Sequence, residues 1–227
     1  MLLVSDIFGC EALLDTLDQT RDERLGRDVG GAGRTDSAIL GPFYRHGVAP
    51  QPNGTSIIRV EEPGASYTHL YGTVFDADGK PLHGATIDIW HDAPDGRYDC
   101  QAPDKPENHC RGRFVTNANG KYSAIIIKPI AYPIASDNAA GDLLRLLDRH
   151  PMRPAHIHYW VEAPGHRRLV TQIFSTDSEY LKDDAVFAVK DKLVVEYKPI
   201  SKDFIPPPEL EGKMVYELEQ DIRLQRA

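Results

Sequence analysis

Arg153-Pro154-Ala155-His156-Ile157-His158 is the stretch whose residue types and spacing most directly suggest chemistry. On a β-strand, residues two apart point to the same face, so His156 and His158 can converge on one metal ion. Pro154 fixes the entry to that strand, and Arg153 adds a permanent cation beside the pair, as suits an anionic ligand or substrate. Glu162 is in phase with both histidines and could complete a cupin-like His-x-His-x-x-x-Glu set. The glycines that flank such a set are missing, with His150 and Leu169 in their place. The other candidate donors are loop tyrosines: Tyr98 in Asp95-Gly96-Arg97-Tyr98-Asp99 and Tyr132 in Pro129-Ile130-Ala131-Tyr132-Pro133. Holding one phenol ionised at neutral pH costs about 4 kcal/mol, from a pKa near 10. Only a hard, highly charged ion readily offsets that twice, so oxygen anions with imidazole favour Fe(III) over zinc.

The elements that must position these residues read as mainly β. Short strand-like runs are expected at 57–60, 70–75, 85–90, 113–116, 122–127, 155–162, 169–174, 193–197 and 215–224, separated by turns such as Ala77-Asp78-Gly79 and Asn117-Ala118-Asn119-Gly120. A helix is expected at 142–149. Another is expected from residue 1 to about 25, with Ile7, Leu13, Leu14 and Leu17 on one apolar face. The fold expected is a β-sandwich catalytic domain with a short N-terminal helical segment: 1–35 as a helical linker and 36–227 as the catalytic domain. Gly30-Gly31-Ala32-Gly33 follows no strand and reads as a hinge, not a dinucleotide loop.

The 227 residues suffice for one good-sized domain. With 26 Lys and Arg against 34 Asp and Glu, a net charge of −8 and no basic run, neither a nucleic-acid nor an anionic-membrane partner is expected. The N-terminal run is broken by Asp6 and lacks a basic leader, so it does not read as a signal peptide, and no stretch approaches a membrane span. Three cysteines in no zinc-like pairing favour free thiols in a reducing compartment, hence the cytoplasm, with Cys100 and Cys110 left as a pair that could bridge. Aromatic content is uneven, with 10 Tyr, 7 Phe and 9 His against 2 Trp.

Gly41-Pro42-Phe43-Tyr44, Gly72-Thr73-Val74-Phe75-Asp76-Ala77-Asp78-Gly79-Lys80-Pro81, Ile89-Trp90-His91, Gly96-Arg97-Tyr98, Arg153 to His158 and Thr171-Gln172-Ile173 together resemble the intradiol ring-cleavage dioxygenases. The resemblance runs in order from about residue 36 to the C-terminus. Tyr132-Pro133-Ile134-Ala135, His150-Pro151-Met152-Arg153 and the stretch from Asp184 to Lys190 are more similar to hydroxyquinol than to catechol 1,2-dioxygenases. The resemblance implies one mononuclear non-haem Fe(III) held by Tyr98, Tyr132, His156, His158 and a hydroxide, a set whose charges cancel and which can therefore be buried. It implies Tyr132 as departing ligand and base, Arg153 as the charge that stabilises the reacting diol, and Gln172 as support for Arg153 or the hydroxide. Ile39, Pro42, Ile134, Ala135 and Val186 would line the pocket for a small aromatic diol or triol, with O2 as co-substrate. Members of the family begin with a longer helical domain that pairs two subunits. Only its last helix, around Asp6 to Leu17, is evident here, so a homodimer would rest on a smaller apolar contact. A non-catalytic transthyretin-like or immunoglobulin-like module is the competing reading from a different class, because Gly72 to Ala85 is a strand-turn-strand pattern that such modules share.

Overall fold

The computed structural model describes residues 2–26 and 33–227. The helices are α1 (Leu2–Ile7), α2 (Cys10–Arg24) and α3 (Ala139–Leu146). The strands are β1 (Tyr67–Phe75), β2 (Thr86–Trp90), β3 (Arg111–Val115), β4 (Lys121–Ile127), β5 (Tyr132–Pro133), β6 (Met152–Arg153), β7 (His156–Glu162), β8 (Leu169–Ser175), β9 (Val194–Val195), β10 (Lys198–Pro199), β11 (Met214–Glu219) and β12 (Ile222–Arg223). One sheet runs β10-β11-β1-β12 with β4 on β1; the second runs β3-β2-β7-β8-β9; β5 and β6 pair separately.

Alternation along the strands explains both the core and the site. Ile87 and Ile89 of β2, Ile157, Tyr159 and Val161 of β7, and Leu169 and Ile173 of β8 point inward. They meet Leu70 and Val74 of β1 and Ala124 and Ile126 of β4, filling the space between the sheets. The intervening residues Trp90, His156, His158 and Gln172 therefore face the other way, and they too are buried. A one-residue slip in β7 would exchange the two sets, so the core fixes where the histidines point.

Most expected strands lie within a few residues of the observed ones; three of them and the expected 142–149 helix differ, and the two-residue strands β5, β6 and β10 were not expected. Residues 57–60 are not a strand: the Ile57 N–H donates to Ile125 O at 3.0 Å while its carbonyl accepts from Cys110 N at 2.9 Å. Its two backbone groups thus serve different segments and no ladder propagates. The 193–197 run shrinks to a 3-10 turn and the two-residue β9. The 215–224 run breaks into β11 and β12, where Gln220 N donates to Tyr71 O and Tyr122 Oη to Gln220 O. That crossing requires Gly72, because a Cβ there would lie 1.9 Å from Gln220 O. Finally, the expected 142–149 helix begins earlier, at Ala139, because the Asn138 side chain accepts the Ala140 N–H at 2.9 Å and caps it.

The N-terminal helix is interrupted at Phe8 and Gly9, and its leucines do not form a buried face. Ile7 is fully buried, whereas Leu13, Leu14 and Leu17 are each more than half exposed. Polar contacts fasten α2 instead: Lys190 Nζ bonds Asp15 and Gln19, and Ser37 bonds Gln19. The glycine run Gly30-Gly31-Ala32 lies outside the described residues. All three cysteines are free, Cys10 and Cys100 exposed and Cys110 buried, so the Cys100–Cys110 bridge is absent. Among the described residues no helix is long and apolar enough to cross a membrane.

Candidate active site

The register places the site. In β7, His158 lies opposite Trp90 of β2 on one side and Gln172 of β8 on the other. Tyr132 pairs with Arg153 through β5 and β6, so a tyrosine 21 positions earlier in sequence is laid against the entry to the His-x-His strand. Tyr98 caps a 3-10 turn, where its backbone N–H donates to Gln101 Oε1 at 3.0 Å. A Cβ on Gly96 would meet Tyr132 Cβ at 3.1 Å, so glycine there lets the two tyrosine loops close on each other.

The polar atoms converge. His156 Nε2 and His158 Nε2 are 3.1 Å apart, Tyr98 Oη is 3.4 Å from His156 Nε2, and Tyr132 Oη is 3.4 Å from Tyr98 Oη. Bonds of about 2.0–2.2 Å to a common ion give such separations between neighbouring donors. His156 Nδ1 lies 2.7 Å from Pro154 O, which holds the ring proton there and leaves the Nε2 lone pair for the site. All four side chains are buried to 3% exposure or less. Burial holds both imidazoles well below their ordinary range and both phenols above theirs. Left alone the four are neutral, and a cation is what would ionise the phenols. Among the described residues no three His, Cys, Asp or Glu side chains converge to hold a metal. This mixed nitrogen and phenol set is the arrangement that fits one, and its oxygen donors suit a hard trivalent ion.

Arg153 is fixed on three sides. Its Nη1 is 3.0 Å from His156 Nε2, Nη2 donates to Gln172 Oε1 at 2.7 Å, and Nε donates to Asp184 Oδ1 at 3.1 Å. Gln172 in turn donates to Ile39 O at 2.6 Å, so its side chain links Arg153 to the segment that carries Ile39. A cavity of about 220 Å³ opens beside Arg153 and Tyr132, and Ile39, Pro42, Ile134, Ala135 and Val186 all line it. Glu162 is not brought to the site: it is exposed at the far end of β7, opposite Thr86.

Three residues at the site have no role assigned from sequence. Asp184 balances Arg153 and accepts the N–H groups of Val186 and Ala188. Asp6, noted only as a break in the N-terminal run, lines the cavity, and its carboxyl is pushed up to about 7 by burial and by Glu11. Arg149 donates to Ile7 O at 2.5 Å and Ala185 O at 2.8 Å, tying together the two segments that carry Asp6 and Val186. An acidic residue in an apolar run was the one available signal, for Asp6.

Comparison with known proteins defines the class. The family model described as Dioxygenase (Dioxygenase_C) matches residues 39–226, and the chain belongs to this dioxygenase family. It is 41% identical over 225 residues to the catechol 1,2-dioxygenase of Candida albicans, covering 98% of this chain and 70% of that one. It is 38% identical over 200 residues to the hydroxyquinol 1,2-dioxygenase of Rhizobium sp., covering 88% and 64%. The chain thus spans about two thirds of the length of these curated relatives. The crystal structure of catechol 1,2-dioxygenase from Pseudomonas arvilla C-1 superposes with a TM-score of 0.88 at 35% identity, covering 99% of this chain and 72% of that one. The family is that of the intradiol ring-cleaving enzymes, and both substrate classes expected from sequence are represented among its members.

Proposed function

We propose that this chain cleaves the ring of a catechol-type diol between its two hydroxylated carbons, using O2 and one Fe(III) held by Tyr98, Tyr132, His156 and His158. Catechol would give cis,cis-muconate, and 1,2,4-trihydroxybenzene would give 3-hydroxy-cis,cis-muconate or its tautomer maleylacetate. The observation that carries the reading is the convergence of two phenols and two imidazoles within 3.4 Å steps beside a buried arginine. When bound, Fe(III) supplies the positive charge that ionises the diol and draws electron density from its ring toward reaction with O2.

The chain's own residues do the rest. Tyr132 Oη, once ionised, accepts a proton from a diol hydroxyl, serving as base as well as ligand. Arg153, held by Asp184 and Gln172, places a fixed charge where negative charge develops on the diolate, with no reorganisation at the moment of reaction. The walls of Ile39, Pro42, Ile134, Ala135 and Val186 suit a flat ring and keep water from it. Asp6 is the acidic group in this apolar wall, and one of its buried oxygens has no hydrogen-bond partner. It supports 1,2,4-trihydroxybenzene as the preferred substrate, because a third hydroxyl gives that oxygen a donor.

The exposed Leu13, Leu14 and Leu17 of α2 support a homodimer through the helical segment, and the free thiols support a reducing compartment such as the cytoplasm. Oxygen uptake with catechol, 1,2,4-trihydroxybenzene and protocatechuate in parallel tests the substrate assignment. The triol is expected to show the highest kcat/KM, and Asp6→Ala to erase its advantage over catechol. An unchanged ratio in Asp6→Ala would remove Asp6 from substrate choice.

A further inference from the structure

The two phenols of the site stand in unequal surroundings. Tyr132 lines the diol cavity, and Tyr98 is not among the described residues that do. Phe43 lines the cavity and also stacks on the Tyr98 ring, with centroids 4.3 Å apart and planes 25° from parallel. Tyr132 meets Tyr98 edge-on at 5.7 Å and His156 at a tilt at 5.5 Å, and its open side is the cavity itself. The segment that carries Phe43 is pinned along its length. Gly41 fits against His158, where a Cβ would lie 3.1 Å from Cε1, and the Tyr44 hydroxyl donates to Asp88 at 2.8 Å. Arg45 Nη1 donates to Asp99 Oδ2 at 3.1 Å. Asp99 directly follows Tyr98, its side chain is fully buried, and it also accepts Arg111 Nη2 at 2.6 Å and the Asn108 N–H at 3.1 Å. One carboxylate thus fastens the Phe43 segment to the turn that carries Tyr98.

We infer that Phe43, backed by the Arg45–Asp99 pair, is a positioning residue that fixes Tyr98 as the phenol that stays and leaves Tyr132 as the one free to turn aside when a diol binds. A phenol leaves the common point by swinging its ring, and in a close-packed interior that swing needs open space. The cavity provides the space for Tyr132, and Phe43 fills it for Tyr98. Tyr132 is also paired with Arg153 across β5 and β6, so the phenol that takes the diol's proton is the one beside the fixed positive charge. The consequence for ligation rests on the iron reading above, whereas the restraint on Tyr98 is a property of the chain alone.

The test follows both rings by NMR in metal-free protein carrying ring-labelled tyrosine, with Tyr98→Phe and Tyr132→Phe to assign the signals. In wild type the Tyr98 ring is expected to flip at least about tenfold slower than the Tyr132 ring, and Phe43→Ala to remove that difference. Phe43→Leu keeps most of the side-chain volume and should hold Tyr98 near its wild-type rate. Arg45→Met, at a partly exposed position, should raise the Tyr98 rate severalfold without unfolding the chain. Equal rates for the two rings in wild type, or a Tyr98 rate that neither Phe43→Ala nor Arg45→Met alters, would overturn the inference. Iron-loaded protein with catechol bound in the absence of O2 gives a second readout by resonance Raman. Wild type should show one set of tyrosinate bands and Phe43→Ala two, as either phenol departs. A single, unchanged set in Phe43→Ala would overturn the choice of the phenol that stays. If no ferric band forms in any protein while the ring rates move as stated, the restraint stands and the iron reading falls.

Discussion

Asp184→Asn is the perturbation that most sharply separates the support of Arg153 from its chemistry. In the wild type the Arg153 and Asp184 side chains are 4% and 2% exposed, and the carboxylate takes Nε at 3.1 Å and Nη2 at 3.3 Å. Removing the negative charge leaves a buried guanidinium uncompensated beside two imidazoles, a change that costs roughly 3–5 kcal/mol when one partner of a buried pair is lost. At the lower end, roughly 3 kcal/mol corresponds to a Tm lower by about 6–12 °C in a chain of this size. The same loss lets Arg153 turn from the cavity, and a barrier higher by about 1.4 kcal/mol slows kcat tenfold. Thermal unfolding and oxygen uptake on the same preparation read both. The double variant Arg153→Met with Asp184→Leu removes both charges, so it should regain much of the stability but none of the turnover. An Asp184→Asn protein that melts and turns over like wild type would refute the pairing argument. A double variant with wild-type turnover would refute any role for Arg153.

Other outcomes follow from the same geometry. Arg149→Met, which frees Ile7 O and Ala185 O, should raise KM for the triol roughly tenfold with kcat little changed, from the loss of charge-assisted hydrogen bonds. An unchanged KM would show that the two wall segments hold their places unaided. Asp6 keeps its proton to about 7 when folded and to about 4 when unfolded. The folded state therefore binds more protons between those values, and stability should fall as pH rises through that window. Asp6→Asn should flatten that slope in denaturant titrations, and an unaltered slope would contradict the burial of this carboxyl. Glu162→Ala should retain iron and colour while Tyr98→Phe loses the colour, and the reverse would restore the cupin-like alternative.

Much of this site was legible in sequence because strand periodicity is short and strict. A His-x-His with a proline before it places two rings on one face, and Gln172 on the returning strand reaches the same face by pairing opposite His158. The tyrosines were nameable as donors by chemical type, but their approach depends on loop closure at Gly96 and on the two-residue pairing of Tyr132 with Arg153. Neither has a periodicity. Asp184, Arg149 and Asp6 carry no role in the sequence because the groups they meet lie 31, 142 and 147 positions away: Asp184 with Arg153, Arg149 with Ile7, and Asp6 with Arg153 in the lining of one cavity. The helical segment misled for a related reason. Leucine spacing announces an apolar face but not what covers it, and in this chain polar ties from Lys190 and Ser37 hold α2 while three leucines face outward.

In the proposed site two phenolates and two imidazoles of this chain hold one ferric ion. Titration of metal-free protein with Fe(III), followed by visible absorption, tests it directly. A tyrosinate-to-iron charge-transfer band should grow linearly and stop at one equivalent per chain. A colourless protein, or iron that binds without such a band, would contradict it.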